Sequence, residues 1–437
     1  IGAGALVSAG DDIAVRAVSH HEQDVLAGSA GIVGSGVAIP ASLAVGRYVG
    51  VTAAEVGAGA VLAARGAVEI VADNAASGGD AQNVTAGSAA LQPLAGSAAV
   101  GAAVVVIDRD DIVRALLGEN AAVTMIDGLA VRADSAENLI ATAVGAGGGT
   151  GRAGAGSAVA SLVAETTTAR IDRAALVRSG MNGPRIGDVV VAAADETGLA
   201  KLAGAASFGG TGGYGAAVDY GTLRKSVLAT IGAFADVEVN GGVAVRADAM
   251  EDVASRVVHA EGSGEGFAGG AAGAQRHQIE VRAEIEGEYD FEEPARTTRV
   301  LARHNVVVEA GAQAEYDLFA GGLSLASGGG IGASAVVPEI DKSVIAAVGN
   351  YADVTARGQG AGASIRNGAF VEEFLDGPGA PDDVRADGVG AGGLGLENVE
   401  WSGGESVDQS YEGDSGASRA RRLTPASEAL RGVSVSA

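Results

Sequence analysis

The sequence contains no cysteine, which excludes disulfide bridges and thiolate metal sites and removes redox chemistry as a guide to compartment. Aromatic residues make up only 3% of the 437 positions, so any core must be built from Val, Ile, Leu and Ala in thin, even layers rather than around rings. Positive charge is equally scarce. Against 54 Asp and Glu there are 29 basic residues, lysine occurring only at 201, 225 and 342. The formal net charge of −25 repels nucleic acid and anionic lipid and keeps a long particle soluble, so neither class of partner is expected. Strongly apolar runs are missing too. The uncharged stretch 85–107 has the length of a membrane span, but Gln92, Pro93 and its many Gly and Ser residues argue against one. The chain opens on Ile1 without a signal peptide, in the manner of a processed chain or a fragment.

What is abundant is glycine, 71 residues, and repetition. The phrase "DGLAVRADSAEN" (127–138) returns as "GGVAVRADAMED" (241–252). Its kernel, apolar-x-apolar-x-Ala, occurs at Ile13, Val68, Leu129, Val189, Val243, Val306 and Val433, each copy ending in alanine. Successive starts lie 55, 61, 60, 54 and 63 residues apart and then 127, which reads as two periods with a degraded copy between. Alternation with period two is a strand signal. The apolar positions and the alanine face inward, and Arg16, Glu69, Arg132, Arg246 and Glu309 face solvent.

A second phrase, "LGENAAV" (117–123), "IGAFADV" (231–237) and "VGNYADV" (348–354), places a glycine turn before an Ala-x-Val strand. A third anchor is a glycine before small apolar residues, at 36, 101, 156, 215, 273 and 332. Three phrases in each period of about 60 residues predict three turns of chain per repeat, about 20 residues each, and a rod on the order of 100 Å long. The expected fold is all-β, a parallel β-helix (β-solenoid) with ~60-residue internal repeats. The alternative is a β-propeller, disfavoured because blades usually wedge together with aromatics. Residues 1–375 are assigned to solenoid repeats, 376–430 to a loop-rich interruption, and 431–437 to a resumed solenoid strand. A short helix is conceivable in "ARIDRAALVRSG" (169–180).

The recurring I/V-G-x-x-A-x-V and G-x-V-x-V-x-A phrases, set between uncharged glycine-rich stretches such as "GSAAVGAAVVVI", resemble the repeat regions of large bacterial exoproteins of the filamentous haemagglutinin and leukotoxin-like filamentous adhesin type. That resemblance implies a right-handed parallel β-helix, an extracellular or cell-surface location, and a role in adhesion or matrix.

Chemistry is sparse. The five histidines, at 20, 21, 259, 277 and 304, have no HExxH-like spacing and read as solvent-facing loop residues. The GxGxxG at 149, 151 and 154 lies in a run, "GAGGGTGRAGAGS", that satisfies many glycine patterns, and lacks a Rossmann strand and helix around it. Acidic clusters at "DRDD" (108–111), "EGEYDFEE" (286–293) and "DGPGAPDD" (376–383) could offer oxygens to Ca²⁺ or paired acids to a polysaccharide, but read first as solvated faces. "RARR" (419–422) resembles a cleavage signal and Asn83 a lone glycosylation sequon. No catalytic or cofactor-binding residue is assigned, no cofactor is expected, and a metal site is left open. The functional expectation is a non-catalytic extracellular rod or filament segment, partnering itself by end-to-end coil stacking, further coils of a longer chain, or surface glycans. The alternative is a β-helical polysaccharide-processing enzyme or carbohydrate-binding surface protein.

Overall fold

The computed structural model describes residues 1–74, 80–93, 98–125, 127–179, 187–293, 296–374 and 421–437. Among them the chain is all-β, and with no helix there is none long and apolar enough to cross a membrane. Most of 376–430, with "DGPGAPDD" and much of "RARR", lies outside the described residues.

Three parallel stacks contain nearly every strand. The first is made of short strands: β1 (Leu6–Ala9), β6 (Val61–Ala64), β10 (Ala122–Met125), β13 (Leu176–Ser179), β16 (Asp236–Val239), β19 (Thr298–Ala302) and β22 (Ala352–Ala356). The second begins with the split pairs β2 (Ile13–Val18) with β3 (Glu22–Ile32) and β7 (Ala67–Asp73) with β8 (Asp80–Gln92). It continues through β11 (Gly128–Gly149), β14 (Asp188–Gly209), β17 (Val243–Ser263), β20 (Val306–Ala326) and β25 (Val433–Ser436). The third runs from β4 (Val37–Ala38) and β5 (Ala41–Val56) through β9 (Ala98–Leu117), β12 (Arg152–Ile171), β15 (Gly212–Ile231), β18 (Gly266–Ile285) and β21 (Gly329–Val348). Apart from these, β23 (Ala363–Phe374) pairs antiparallel with β24 (Arg421–Leu430).

The pairing register explains the repeated phrase. Ile13, Val68, Leu129, Val189, Val243, Val306 and Val433 all stand in one ladder of the second stack, each on the next. The alanine closing the phrase forms its own column, and Ala72, Ala133 and Ala247 are fully buried. Two expectations change. Val433 pairs directly with Val306, so no degraded copy separates them in the ladder. Successive levels are about one whole period apart, so a period makes one wide turn of chain rather than three turns of about 20 residues. Seven short strands stacked at about 4.8 Å give a height near 30 Å, while a 20-residue strand reaches roughly 65 Å across. The particle is broad, not a 100 Å rod. Parallel ladders of this kind also exclude antiparallel propeller blades.

The turns account for the other phrases. After the third-stack strand ends at Leu117 or Ile231, a glycine follows because the turn below lies in the way. A Cβ on Gly118 would stand 2.6 Å from the Val56 carbonyl oxygen, and one on Gly232 would stand 2.8 Å from the Arg173 nitrogen. Two residues later the chain takes left-handed φ, 56° at Asn120, 55° at Ala174, 59° at Phe234 and 65° at Tyr351. The "ARIDRAALVRSG" segment is such a turn between β12 and β13, not a helix. Residues 85–107 supply β8 and β9. The third glycine anchor holds only in part: Gly101, Gly215 and Gly332 share a column, whereas Gly156 and Gly273 fall outside it.

At the far side the long strands reverse through two residues, Thr150 and Gly151 between β11 and β12, and the two facing sheets converge. A Cβ on Gly145 would lie 2.2 Å from the Gly156 carbonyl oxygen, and one on Gly147 would lie 2.1 Å from that of Gly154. The glycine-rich run is therefore the place where the two backbones come so close that an inward side chain at 145 or 147 has no room. Toward the short-strand side the interior widens and fills with Val, Ile, Leu and Ala from all three stacks. A second apolar cluster fills the middle.

Candidate functional site

Between these two apolar clusters runs a stripe of buried polar and charged side chains, parallel to the stacking direction. It follows from the alternation itself. Leu129, Val131 and Ala133 point inward, so Ser135 and Glu137 do as well, and one level on Asp195 and Thr197 occupy the same columns. From the facing sheet, Asp111, Glu165 and Lys225 share a single column. Asp111, Glu137, Glu165, Asp195, Lys225 and Glu251 are each less than 5% exposed.

The contacts join successive levels. Arg109 pairs with Asp111 at 2.8 Å and with Glu137 at 3.7 Å, and lies over the Tyr48 ring, 4.4 Å from its centroid. The Asn74 amide donates to Asp111 at 2.9 Å and to Glu137 at 3.3 Å, and the Ser135 hydroxyl also donates to Glu137. Lys225 Nζ stands 2.7 Å from Asp195, 3.5 Å from Glu251 and 3.6 Å from Glu165. The Thr167 and Thr197 hydroxyls donate to Asp195 and Glu165. A neighbouring network has Lys201 3.0 Å from Asp219, which also accepts from Ser255 and Gln275.

Burial dominates the electrostatics. It pushes the Glu165 carboxyl up to about 8, with the Asp195 charge adding to the rise and Lys225 opposing it. Glu137 is raised well above the usual carboxylate range by burial and then by Glu165 and Asp195. Burial also raises Glu251. Lys225 behaves oppositely. Burial alone would lower it, but Asp195, Glu165, Glu251 and Glu137 outweigh that and hold the ammonium charged. Burial lowers His277 to about 4, with Lys201 adding to the effect.

Several sequence-based placements need correction. His259 and His277 are buried on β17 and β18, and His277 meets Tyr316 edge-on with centroids 4.9 Å apart. His20 is exposed, while His21 stacks on Tyr48 at 4.3 Å. "DRDD" is not one solvated face, since Arg109 and Asp111 are inside. Glu309 is on the outer face as expected but is covered there, 3.3 Å from Arg246 and 3.6 Å from Arg366. "EGEYDFEE" is an exposed to half-exposed insertion between β18 and β19, in keeping with a solvated cluster. Of the residues that matter most, Glu137 and Glu251 stand at the same position of the two copies of the repeated phrase but were given no role there, and Glu165, Asp195 and Lys225 belong to no motif. Extending the alternation a few positions past the alanine would have found those of the second stack.

Glu137, Glu165 and Asp195 each offer a carboxylate oxygen, and the three lie within 4.8 Å of one another, so this triad is the group that could hold a metal. On the outer face of the third stack a shallow groove of about 550 Å³ runs past Tyr214, Val100, Gly154 and Gly156. No family model matches the chain, and neither a curated protein nor a solved structure does.

Proposed function

We propose that this chain is a non-catalytic structural segment of an extracellular or cell-surface rod or filament, a parallel β-solenoid in which each ~60-residue repeat forms one coil. The observation that carries this reading is the unbroken parallel register, which lays up to 22 consecutive residue pairs of one level on the next. Such a ladder is extended by adding another level. At one end β21 pairs only with β18 among the described residues, and its residues are largely exposed. At the other, β3 and β5 pair only with β8 and β9 among the described residues. A long unpaired strand is a template for further strand addition, so the partner is a second copy of the chain or further coils of a longer polypeptide.

Support for a non-catalytic role comes from where the carboxylates are. The acids gathered in the stripe are enclosed between sheets, so a polysaccharide has no path to them. Surface glycans remain the second partner of this proposal, and half-exposed Tyr214 beside its groove is the aromatic platform against which a sugar would stack. Electron microscopy and fibre diffraction on the native material test the structural reading. Filaments with a ~4.8 Å axial spacing are expected. Separate particles about 30 Å thick at every concentration would overturn it.

A further inference from the structure

The stripe does not balance its own charge. Among its described residues, the carboxylates of Asp111, Glu137, Glu165, Asp195 and Glu251 face the cations Arg109 and Lys225. Lys342, at the open last level, adds one more within electrostatic reach of Glu251. With every acid ionised, a deficit of two positive charges is left in an interior where an uncompensated charge is strongly destabilising. A second observation concerns individual atoms. Oε2 of Glu137 and Oε1 of Glu165 are completely buried and receive no hydrogen bond, although the other oxygen of each carboxylate accepts from Ser135 or Thr197. Among the described residues Glu251, on the next level, has only the Lys225 ammonium, 3.5 Å from its Oε1, as an ion-pair partner.

We propose that Glu137, Glu165 and Asp195 form a buried site for one divalent, oxygen-seeking cation of the Ca²⁺ class, binding adjacent strands of the second stack to the facing strand of the third. Oxygens within 4.8 Å of one another match the spread around an ion with bonds of about 2.3–2.6 Å. The donor set is all oxygen, and His259 and His277 belong to other contacts, so a zinc-type nitrogen or sulfur site is not offered. Mg²⁺ retains several of its waters and demands a near-octahedral shell, which a closed interior supplies less readily than the adaptable shell of Ca²⁺. The ion would make good the missing charge, and β11 and β14 are neighbouring strands, so it would clamp one level to the next.

The test uses the full chain, unfolded and refolded either with CaCl₂ or with EGTA, desalted, and examined by elemental analysis and native mass spectrometry. Calorimetry in buffers of different ionisation enthalpy then counts the protons released. One Ca²⁺ retained per chain, with proton release near neutral pH, is expected. Glu137→Gln and Glu165→Gln should each weaken binding by at least the roughly 10- to 100-fold seen for outer-shell partners of metal sites. The surface variant Glu288→Gln should leave it unchanged. A folded chain that retains no Ca²⁺ and shows no saturable binding would overturn the site and leave protons shared among the carboxyls as the balancing charge. Binding lost in Glu288→Gln but kept in the triad variants would move the ion to the surface loop and equally overturn it. If both triad variants fail to fold, the metal count on the refolded wild-type chain decides alone.

Discussion

Lys225 Nζ lies 2.7 Å from Asp195 Oδ1, and the same ammonium reaches Glu165 on the level before and Glu251 on the level after. One side chain thus ties three levels of the stack together through charge in a buried site. Replacing it with a neutral group of similar length leaves those carboxylates uncompensated. Lys225→Met should therefore cost about 3–5 kcal/mol, the range for breaking a buried ion pair from one side. Urea unfolding measures it, and adding Glu251→Gln to the same chain should restore part of the loss.

The pH dependence of stability follows from Glu165 and His277. For Glu165 the folded value, about 8, is above that of an exposed glutamate, so the folded chain keeps a proton that the unfolded chain has released. Its stabilising contribution is complete below the ordinary glutamate value near 4.5 and is lost as pH rises toward 8. His277 has the opposite sign. Its folded value is lowered from 6.5 to about 4, so it adds stability that is lost as pH falls through that window. In chelator the two trends oppose each other below pH 6.5, and from there to about 8 the loss from Glu165 is no longer countered. Thermal melts between these values should show declining stability, and Glu165→Gln should flatten the slope. Melts that rise over this interval would contradict the assignment.

How far the sequence announced this arrangement depends on which side chains are asked about. The seven apolar-x-apolar-x-Ala phrases mark one true ladder, and the inward alanine was readable because a column with room only for a methyl tolerates nothing larger. The width of the turn was not readable. Strand phrases recurring within a period look alike whether they stack on each other or lie end to end around one broad coil. Nor was the charged stripe, because Glu137 and Asp195 are the residue types that normally mark the solvent side, and only their parity with Val131 and Val191 shows them to be inside.

The alanine column gives a direct packing test. Ala133 and Ala247 are 0% exposed, so Ala→Phe at either should overpack its layer and cost about 1–3 kcal/mol or more. Arg132 is exposed, and Arg132→Ala should stay within about 0.5 kcal/mol of wild type. Arg246→Ala should cost more than Arg132→Ala, because Arg246 pairs with the covered Glu309 and donates to the Ser364 carbonyl. Denaturation midpoints of the four variants check the order. Equal effects of the two arginine changes would mean that the outer-face contacts of β20 contribute nothing.

The convergence of the sheets at their far side can be tested with a single methyl group. Gly147 points inward, where an added Cβ would stand 2.1 Å from the Gly154 carbonyl oxygen and 2.9 Å from that of Ala99, both backbone atoms with no rotamer by which to yield. Gly147→Ala must therefore pry β11 from β12, at a cost of about 1–3 kcal/mol or more. Gly87 lies on the same stack, one level before, with nothing within 4 Å of its Cβ position. There the same substitution only removes backbone freedom from the unfolded chain and should stabilise by roughly 0.4–1 kcal/mol. Opposite signs in urea unfolding are the expected result. If Gly147→Ala were as harmless as Gly87→Ala, the sheets would have to stand apart in solution. The interior would then be open at its glycine-rich edge, and the argument that no substrate reaches the buried carboxylates would fail with it.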